Sequence, residues 1–317
     1  MEPRISKVRV CCPVCDSCKI NISFSDSDHL MKKKYQYLRC SECGLLFISP
    51  FPNQKDLDKI YNLKINPIER NTNKLLFALN DNVFLHYTFH LFAKLVNRER
   101  ADCVQKHQKN STNNTVLDIG CGVGRFLEEM AKRNWNIIGQ DVGKESIRLS
   151  NQRLKKYNVT FIDESLGKLR IPKSVNAVTF WHVFEHLISF QSTLRNISKK
   201  LSKNSIIILE CPSAKALSTK LFGRLSTNVI TPEHLTFWTE DSYKTILEKN
   251  NFKIINITYP RSFIFTSSSS AYKYAQNKKW GKVSTLCFLG IIALISIPVY
   301  LLFARSSESI RVCAVKK

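Results

Sequence analysis

The chain has 317 residues and a hydrophobic content of 44%, which excludes a globally disordered protein and suffices for one α/β domain with attachments or for two domains. Its 48 lysines and arginines outnumber its 25 acidic residues, for a formal net charge of +23. Such a charge suits anionic partners, namely nucleic acid, phosphorylated sugars or a membrane face, although a lysine- and asparagine-rich background composition explains it equally well. The N-terminus has no apolar h-region, so we expect no secretory signal and a cytoplasmic catalytic body.

Four of the eleven cysteines form two Cys-x-x-Cys pairs. Two such pairs can complete a tetrahedral four-sulfur site, so we predict a zinc ribbon over residues 8–50 with the ligands Cys12, Cys15, Cys40 and Cys43. Between the pairs, residues 20–24 and 35–39 alternate like the strands of a hairpin. We interpret Cys11 and Cys18 as spectator thiols. A closed four-sulfur site favours a structural metal, which we expect to supply much of the stability of so small a module.

Residues 53–110 are predicted to form a helical connector, because apolar residues recur at helical spacing over 53–61 and 75–107. Its aromatic residues, such as Phe84 and Phe89, are typical of core packing at this spacing. A lid over an active site is the alternative.

The stretch 116–126, VLDIGCGVGRF, predicts a buried strand, a loop with glycine at every second position, and a helix. Glycines let a backbone turn sharply and approach a ligand closely, and the helix start offers free N–H groups. The next predicted strand, 135–140, is followed by Asp141, 23 residues after Asp118. A carboxylate there can accept hydrogen bonds from both hydroxyls of a ribose. These elements together predict a nucleoside-binding βαβ unit.

Four segments carry a resemblance to class I S-adenosylmethionine-dependent methyltransferases. The Gly-x-Gly-x-Gly of the first segment resembles the family's first motif, and three later segments resemble its fourth strand, its fifth strand and a following loop. In order, they are 117–124 (LDIGCGVG), 178–187 (VTFWHVFEHL), 206–213 (IIILECPS) and 232–239 (PEHLTFWT). The cysteine module is similar to one found in many such enzymes from bacterial surface-polysaccharide gene clusters. Asn176 and residues 202–204 depart from the family pattern outside the expected cofactor contacts.

The resemblance implies a Rossmann-like α/β fold over residues 111–317, with a seven-stranded doubly wound sheet of order 3-2-1-4-5-7-6. The alternation of short apolar runs with helical segments predicts the same class. The implied cofactor is S-adenosylmethionine, with its methionine part beside Gly120, Gly122 and Gly124. Asp141 would bind its ribose, Asp118 would contact it or brace the loop, and Glu164 would contact its adenine.

Methyl transfer from a sulfonium is an in-line displacement that depends mainly on positioning, and an oxygen acceptor also needs a base for its proton. We predict catalytic roles for Glu185 and His186, after the fourth strand, and for His234. The alternatives are a brace for Glu185, a helix cap for His186 and a packed loop residue for His234. If a helix follows the strand, His182 and His186 share a face and could bind a divalent ion, as proposed for similar quinone-pathway O-methyltransferases.

The predicted reaction is O-methylation of a small molecule, a sugar or a lipid-linked glycan. The first alternative is an rRNA methyltransferase with a zinc ribbon, which the charge of +23 favours. Nucleic acid is nevertheless an unexpected partner, since the fourth strand lacks an Asn-Pro-Pro-Tyr-like motif and no stacking platform is evident. The second alternative is a non-catalytic, membrane-tethered binding protein with a methyltransferase fold, which the intact glycine loop disfavours.

Residues 285–304 contain no charged residue and are numerous enough to span a membrane. They lie in a predicted insertion, 261–307, between two predicted strands, 252–259 and 308–315. Those strands should pair antiparallel, which a single membrane crossing would prevent. A membrane-dipping or interfacial segment, a true span, and a buried helix or lid therefore all stay open. An interfacial segment would rest on an anionic membrane surface and make the protein cytoplasmic and membrane-associated.

Overall fold

The fold is taken from a computed structural model, and the chain forms two compact units. The structure describes residues 10–28, 32–64, 83–108, 113–162, 166–167, 169–260, 263–281, 284–285, 287–292, 294 and 307–317. The first unit comprises Met1–Phe51, Cys211–Lys249 and Thr258–Ile310. The second comprises Pro52–Glu210, Asn250–Ile257 and Arg311–Lys317. The domain boundaries predicted from the sequence stay a prediction.

Helices and strands alternate along most of the described chain. The strands are β1 Ile20–Ser27, β2 Lys34–Cys40, β3 Leu46–Ser49, β4 Thr115–Ile119, β5 Asn136–Gln140, β6 Val159–Ile162, β7 Val175–Trp181, β8 Ile206–Pro212, β9 Thr236–Phe237, β10 Phe252–Thr258 and β11 Ser309–Lys316. The helices are α1 Gln54–Lys64, α2 Val83–His107, α3 Arg125–Ala131, α4 Lys144–Leu154, α5 Phe190–Lys200, α6 Leu217–Phe222, α7 Glu240–Lys249 and α8 Phe263–Asn277.

Seven strands form one sheet in the order β10-β11-β8-β7-β4-β5-β6. Counted within this sheet and read from β6, the order is 3-2-1-4-5-7-6, so the predicted fold is confirmed. The pairs β4–β5, β4–β7, β5–β6 and β7–β8 are parallel. Every residue of β4 and β8 is buried, as in a parallel sheet that is covered on both faces. The carboxyl ends of β4, β5 and β7 therefore meet at one edge, where α/β folds bind ligands.

Helix α5 shows why such segments pack beside their strands. It buries Phe190, Leu194 and Ile197 at spacings of four and three, while the lysines of its last turn are exposed. Asn176, in β7, accepts a hydrogen bond at 2.8 Å from the backbone N–H of Thr115 in β4, so the departure from the family pattern still joins the two strands.

A second, four-stranded sheet has the order β1-β2-β3-β9 and is antiparallel throughout. Strands β1 and β2 pair from Ile20↔Cys40 to Ser27↔Lys34, which is the hairpin predicted between the cysteine pairs. Strand β3 pairs with β9 through Leu46↔Phe237. The buried rings of Tyr37 and Phe237 meet edge to face in the core of this sheet.

Several predictions fall on residues that the structure does not describe. Residues 65–82, the side chains of Phe84 and Phe89, and Glu164 lie outside the described part. Of the uncharged run 285–304, the structure describes 285, 287–292 and 294, and all of these are helical. Within the described residues, no helix combines the length and the apolar character that a membrane crossing requires.

Candidate active site

The glycine loop between β4 and α3 is folded back onto the end of β5. The backbone N–H groups of Gly120 and Cys121 both donate to the carbonyl of Gln140, at 2.7 and 2.9 Å. Gly120, Gly122 and Gly124 all have positive φ, at +69°, +53° and +74°. Only glycine adopts this region without a steric cost, so the alternating glycines are what allow the loop to form.

Two of these glycines differ in what surrounds them. A Cβ at Gly120 would lie 2.3 Å from the side chain of Val183, so the loop touches the turn after β7. A Cβ at Gly122 would meet no atom of the described chain within 4 Å. The backbone at Gly122 therefore borders open space at the carboxyl edge of the parallel strands, where a ligand can approach it.

Asp141 connects the loop to the end of β5. One carboxylate oxygen accepts the N–H of Gly122 at 2.9 Å, and the other accepts the N–H of Gly143 at 2.8 Å. A carboxylate offers about four acceptor sites, so two further donors such as ribose hydroxyls can also be accommodated. The structure thus brings Asp141 together with the glycine loop, as the sequence predicts.

Asp118 lies deeper, inside β4, with only 2% of its surface exposed. The hydroxyl of Thr179 in β7 donates to its carboxylate at 2.7 Å. Burial raises the pKa of Asp118 to about 7, against the opposing effect of this hydrogen bond. This hydrogen bond joins β4 to β7, and the role of Asp118 toward the loop or the cofactor stays a prediction.

The turn after β7 is shaped by His182, whose φ is +58°. A 3-10 turn, Phe184–His186, follows it, so no α-helix runs from His182 to His186. Both ring nitrogens of His182 face carboxylates, Nδ1 at 3.3 Å from Glu185 and Nε2 at 3.2 Å from Glu210. Burial opposes the charged imidazolium, yet these two carboxylates raise the pKa of His182 to about 9. The shared helical face for a divalent ion does not form.

Glu210, at the end of β8, is the centre of a buried charge network. Its carboxylate lies 2.5 Å from Arg100 in α2 and 2.6 Å from Arg311 in β11, in addition to His182. Although burial favours the neutral acid, these cations hold the pKa of Glu210 well below its ordinary value. Both guanidinium groups also lie over the ring of Trp181, at 4.9 and 5.5 Å.

Sequence reasoning did not assign Arg100, Glu210 or Arg311 to the site. A signal was present: a glutamate ends the apolar run of β8, and an arginine stands among the apolar residues of β11. Charged residues are almost never fully buried unless they are paired. Their partners could not be read from the sequence, because Glu210 and Arg311 are 101 positions apart.

The three predicted catalytic residues differ in how deeply they are buried. Glu185 is fully buried beside His182, and His186 is half-buried at the end of the 3-10 turn. His234 lies on the loop before β9 and is 9% exposed, with Nδ1 2.6 Å from the carbonyl of Asn228. A carbonyl can only accept, so Nδ1 carries the proton and Nε2 is the basic nitrogen of the neutral ring. His234 is therefore oriented by its own loop.

The four cysteines predicted to bind zinc converge. All four sulfurs lie within 4.8 Å of one another, with Cys12 to Cys43 at 3.6 Å and Cys15 to Cys40 at 3.5 Å. Tetrahedral zinc with Zn–S bonds of about 2.3 Å separates neighbouring sulfurs by about 3.8 Å, so this donor set fits the ion.

The two Cys-x-x-Cys turns share one backbone geometry. In each turn, the residue after the second cysteine donates its N–H to the carbonyl of the first cysteine at 3.0 Å; these residues are Asp16 and Gly44. Both have positive φ, at +62° and +70°. Cys11 and Cys18 lie outside the four-sulfur cluster, as predicted, but they are not free thiols, because the two form a disulfide. Their separation of seven residues in the sequence does not reveal how close their side chains lie.

Comparison with known proteins adds relatives of this chain. It is 30% identical over 95 residues to malonyl-[acyl-carrier protein] O-methyltransferase of Bacillus cereus, covering 29% of this chain and 35% of that enzyme. It is 25% identical over 138 residues to ubiquinone biosynthesis O-methyltransferase of Pelagibacter ubique, covering 43% and 55%. The chain thus spans about a third to a half of the length of these two relatives.

Among solved structures, the chain is similar to magnesium protoporphyrin IX methyltransferase from Synechocystis PCC 6803 with bound SAH. The TM-score is 0.48 and the identity 15%, over 72% of this chain and 88% of that one. A family model described as a methyltransferase domain matches residues 84–257, more than half of the chain, and this range includes the glycine loop, Asp141 and Glu210. The chain therefore belongs to the methyltransferase domain family, among the class I S-adenosylmethionine-dependent methyltransferases.

Proposed function

We propose that this protein transfers the methyl group of S-adenosylmethionine to a hydroxyl oxygen of a small molecule. The open backbone at Gly122, joined to the carboxylate of Asp141 at the edge of parallel strands, carries the proposal. Such an edge suits a nucleoside whose ribose hydroxyls reach the acid. The relatives named as O-methyltransferases support oxygen as the acceptor atom.

The proposed cofactor site consists of the glycine loop and nearby acidic side chains. The backbone of Gly120, Gly122 and Gly124 would lie along the methionine part, and Asp141 would accept the ribose hydroxyls. Asp118 would contact the cofactor or brace the loop, and Glu164 stays a predicted adenine contact. When bound, the cofactor supplies a methyl group on a positively charged sulfur.

The acceptor needs a base, and we assign this role to His234. Nε2 of His234 would accept the hydroxyl proton while the acceptor oxygen takes the methyl group and the sulfonium leaves as a neutral thioether. The carbonyl of Asn228 fixes the tautomer that leaves this nitrogen basic. We assign Glu185 the positioning of His182 and of the turn after β7, and His186 a contact with the acceptor.

More specifically, we propose a sugar or a lipid-linked glycan as the acceptor. The charge of +23 and the resemblance of the cysteine module support this form. We assign the zinc ion a structural role, because four protein sulfurs close its coordination and leave no position for a substrate.

Cofactor binding is tested by calorimetry with S-adenosylhomocysteine. Asp141→Ala should weaken binding at least tenfold, because hydrogen bonds to a charged group contribute about 1.5–3 kcal/mol each. Asp241→Ala, at an exposed position in α7, is the matched control and should bind like the wild type. If the wild-type chain does not bind the ligand, the non-catalytic alternative replaces this proposal.

The acceptor is tested with S-adenosylmethionine that carries a labelled methyl group, added with the protein to a cell lysate. RNA, lipid and small-molecule fractions are then counted separately. Label in small molecules supports methylation of a small-molecule hydroxyl, and label in lipid-linked sugar supports a glycan acceptor. Label in rRNA would contradict it.

A further inference from the structure

The described helical residues within 284–294, called the helical segment below, present a face without charged side chains to solvent. Ser284, Cys287, Ile291 and Leu294 follow one another at spacings of three, four and three and are all exposed. Ile291 is 53% exposed and Leu294 75%. The exposed face of a helix on a soluble domain normally carries polar residues. Here it carries none with a charge.

The opposite face of this segment is anchored in the first unit. Ile292 and the partly buried Phe288 and Leu289 pack in one cluster with Phe222 and Ala271. Because the inner face has its own core, the outer apolar residues are held at the surface. The outer face is therefore a persistent feature of the surface, and its exposed apolar residues are not explained by packing within the chain.

Cationic and aromatic side chains lie next to the helical segment. Lys278 and Lys279 are exposed in the turn just after α8, and Trp280 follows them with 40% of its surface exposed. The ring of Trp280 meets Phe288 edge to face at 5.1 Å, which ties this cationic end to the helical segment. Lysines, a tryptophan and an apolar helix face in this order match the charged, interfacial and acyl layers of a lipid surface.

We propose that this surface, composed of Lys278, Lys279, Trp280, Cys287, Ile291 and Leu294, docks onto an anionic lipid bilayer. Leu294 and Ile291 would enter the boundary of the acyl chains, Trp280 would lie at headgroup depth, and the lysines would face lipid phosphates. A second copy of the chain is a poorer partner, because it would bring its own lysines to a surface that is already cationic. This proposal does not depend on the proposed methyl transfer.

Intrinsic fluorescence offers a direct test. Of the four tryptophans, Trp135, Trp181 and Trp238 are buried, and Trp280 alone is exposed. Vesicles of phosphatidylcholine mixed with phosphatidylglycerol should shift the emission of the wild-type chain to shorter wavelength and should carry the protein upward in flotation. Vesicles of phosphatidylcholine alone should do so much more weakly. No shift and no flotation with the anionic vesicles would overturn the proposal.

Two double variants separate charge from apolar contact. Lys278→Glu with Lys279→Glu should lower the partition coefficient about thirtyfold or more, because each lysine near an anionic surface contributes about fivefold. Ile291→Ser with Leu294→Ser should abolish the wavelength shift. Controls are Lys253→Glu and Ile255→Ser on β10, where both residues are exposed, and these should bind vesicles like the wild type.

Far-UV circular dichroism shows whether each variant is folded. Equal binding by all folded variants would overturn the proposal. The proposal would also be overturned if the wild type is a dimer, the double variant Ile291→Ser with Leu294→Ser is a monomer, and neither binds vesicles. The apolar face would then be a contact between two copies of the chain.

Discussion

Glu210→Gln tests whether the buried charge network stabilises the fold. The glutamine keeps the size of the side chain and removes its charge, while Arg100 and Arg311 keep theirs. Arg311 is only 3% exposed, so little water can replace the lost carboxylate. Breaking a buried ion pair by removing one partner costs about 3–5 kcal/mol, because the remaining charge is left uncompensated.

The structure places the expected cost at the lower end of that range. Arg311 retains one other carboxylate, that of Glu99, at 3.0 Å. We therefore expect Glu210→Gln to lower the free energy of unfolding by about 3 kcal/mol. Glu145→Gln is the matched control, because Glu145 pairs with Arg148 at 2.6 Å with both side chains more than half exposed. Because solvent screens such exposed pairs, Glu145→Gln should lower the free energy of unfolding much less than Glu210→Gln does.

The assay is urea-induced unfolding, followed in parallel by far-UV circular dichroism and tryptophan fluorescence. Trp181 lies against both arginines, so part of the tryptophan emission comes from a ring in contact with the network. Coincident transitions by the two probes allow the free energies of the variants to be compared. If Glu210→Gln costs no more than Glu145→Gln, the reasoning about burial is refuted.

Three further predictions follow from the sites. Gly120→Ala should lower both Tm and the affinity for S-adenosylhomocysteine, because the new Cβ would lie 2.3 Å from Val183. Gly167→Ala is the control and should change neither, because no atom lies within 4 Å of a Cβ there. If the two variants behave alike in thermal melts and calorimetry, the close packing of Gly120 against Val183 is contradicted. Cys43→Ser should lose the stoichiometric zinc that we expect elemental analysis to find in the wild type, and unchanged zinc content would exclude this ligand set. The pKa of folded His182, about 9, lies above its ordinary 6.5, so the stability from its ion pairs should be complete below pH 6.5 and lost as the pH rises through about 9. In urea titrations, the free energies of unfolding of the wild type and of His182→Gln should therefore converge near pH 9. A difference that stays constant with pH would contradict the ion pairs of His182.

The sequence predicts the fold well because the signals that define it are local. Strand β8 begins with the apolar run 206–209, which is typical of a strand covered on both faces, and apolar residues also dominate β4. The sheet order came from the family resemblance, and the structure confirms it. The contact of Asp141 with Gly122 follows from the same pattern, since β4 and β5 are neighbours and both end at one edge.

Other parts of the site depend on contacts between distant residues. Glu210 meets Arg311 only because β11 lies beside β8, and the sequence between them contains two other strands. The left-handed backbone of His182 is also hard to predict, because positive φ is uncommon for any residue other than glycine, histidine included. Because His182 has this conformation, the chain does not continue as an α-helix from His182 to His186, as one prediction from the sequence required.

The pairing of β3 with β9 has a consequence for how the protein is made. The cysteine module is translated early, yet the edge of its sheet is completed by Thr236 and Phe237, nearly two hundred positions later. Until the ribosome has passed Phe237, the backbone of β3 has one unpaired edge, which is a site for association with other chains. Early zinc capture by the cysteines would hold the nascent module together during that interval, and a fragment that ends soon after β3 would keep the exposed edge permanently.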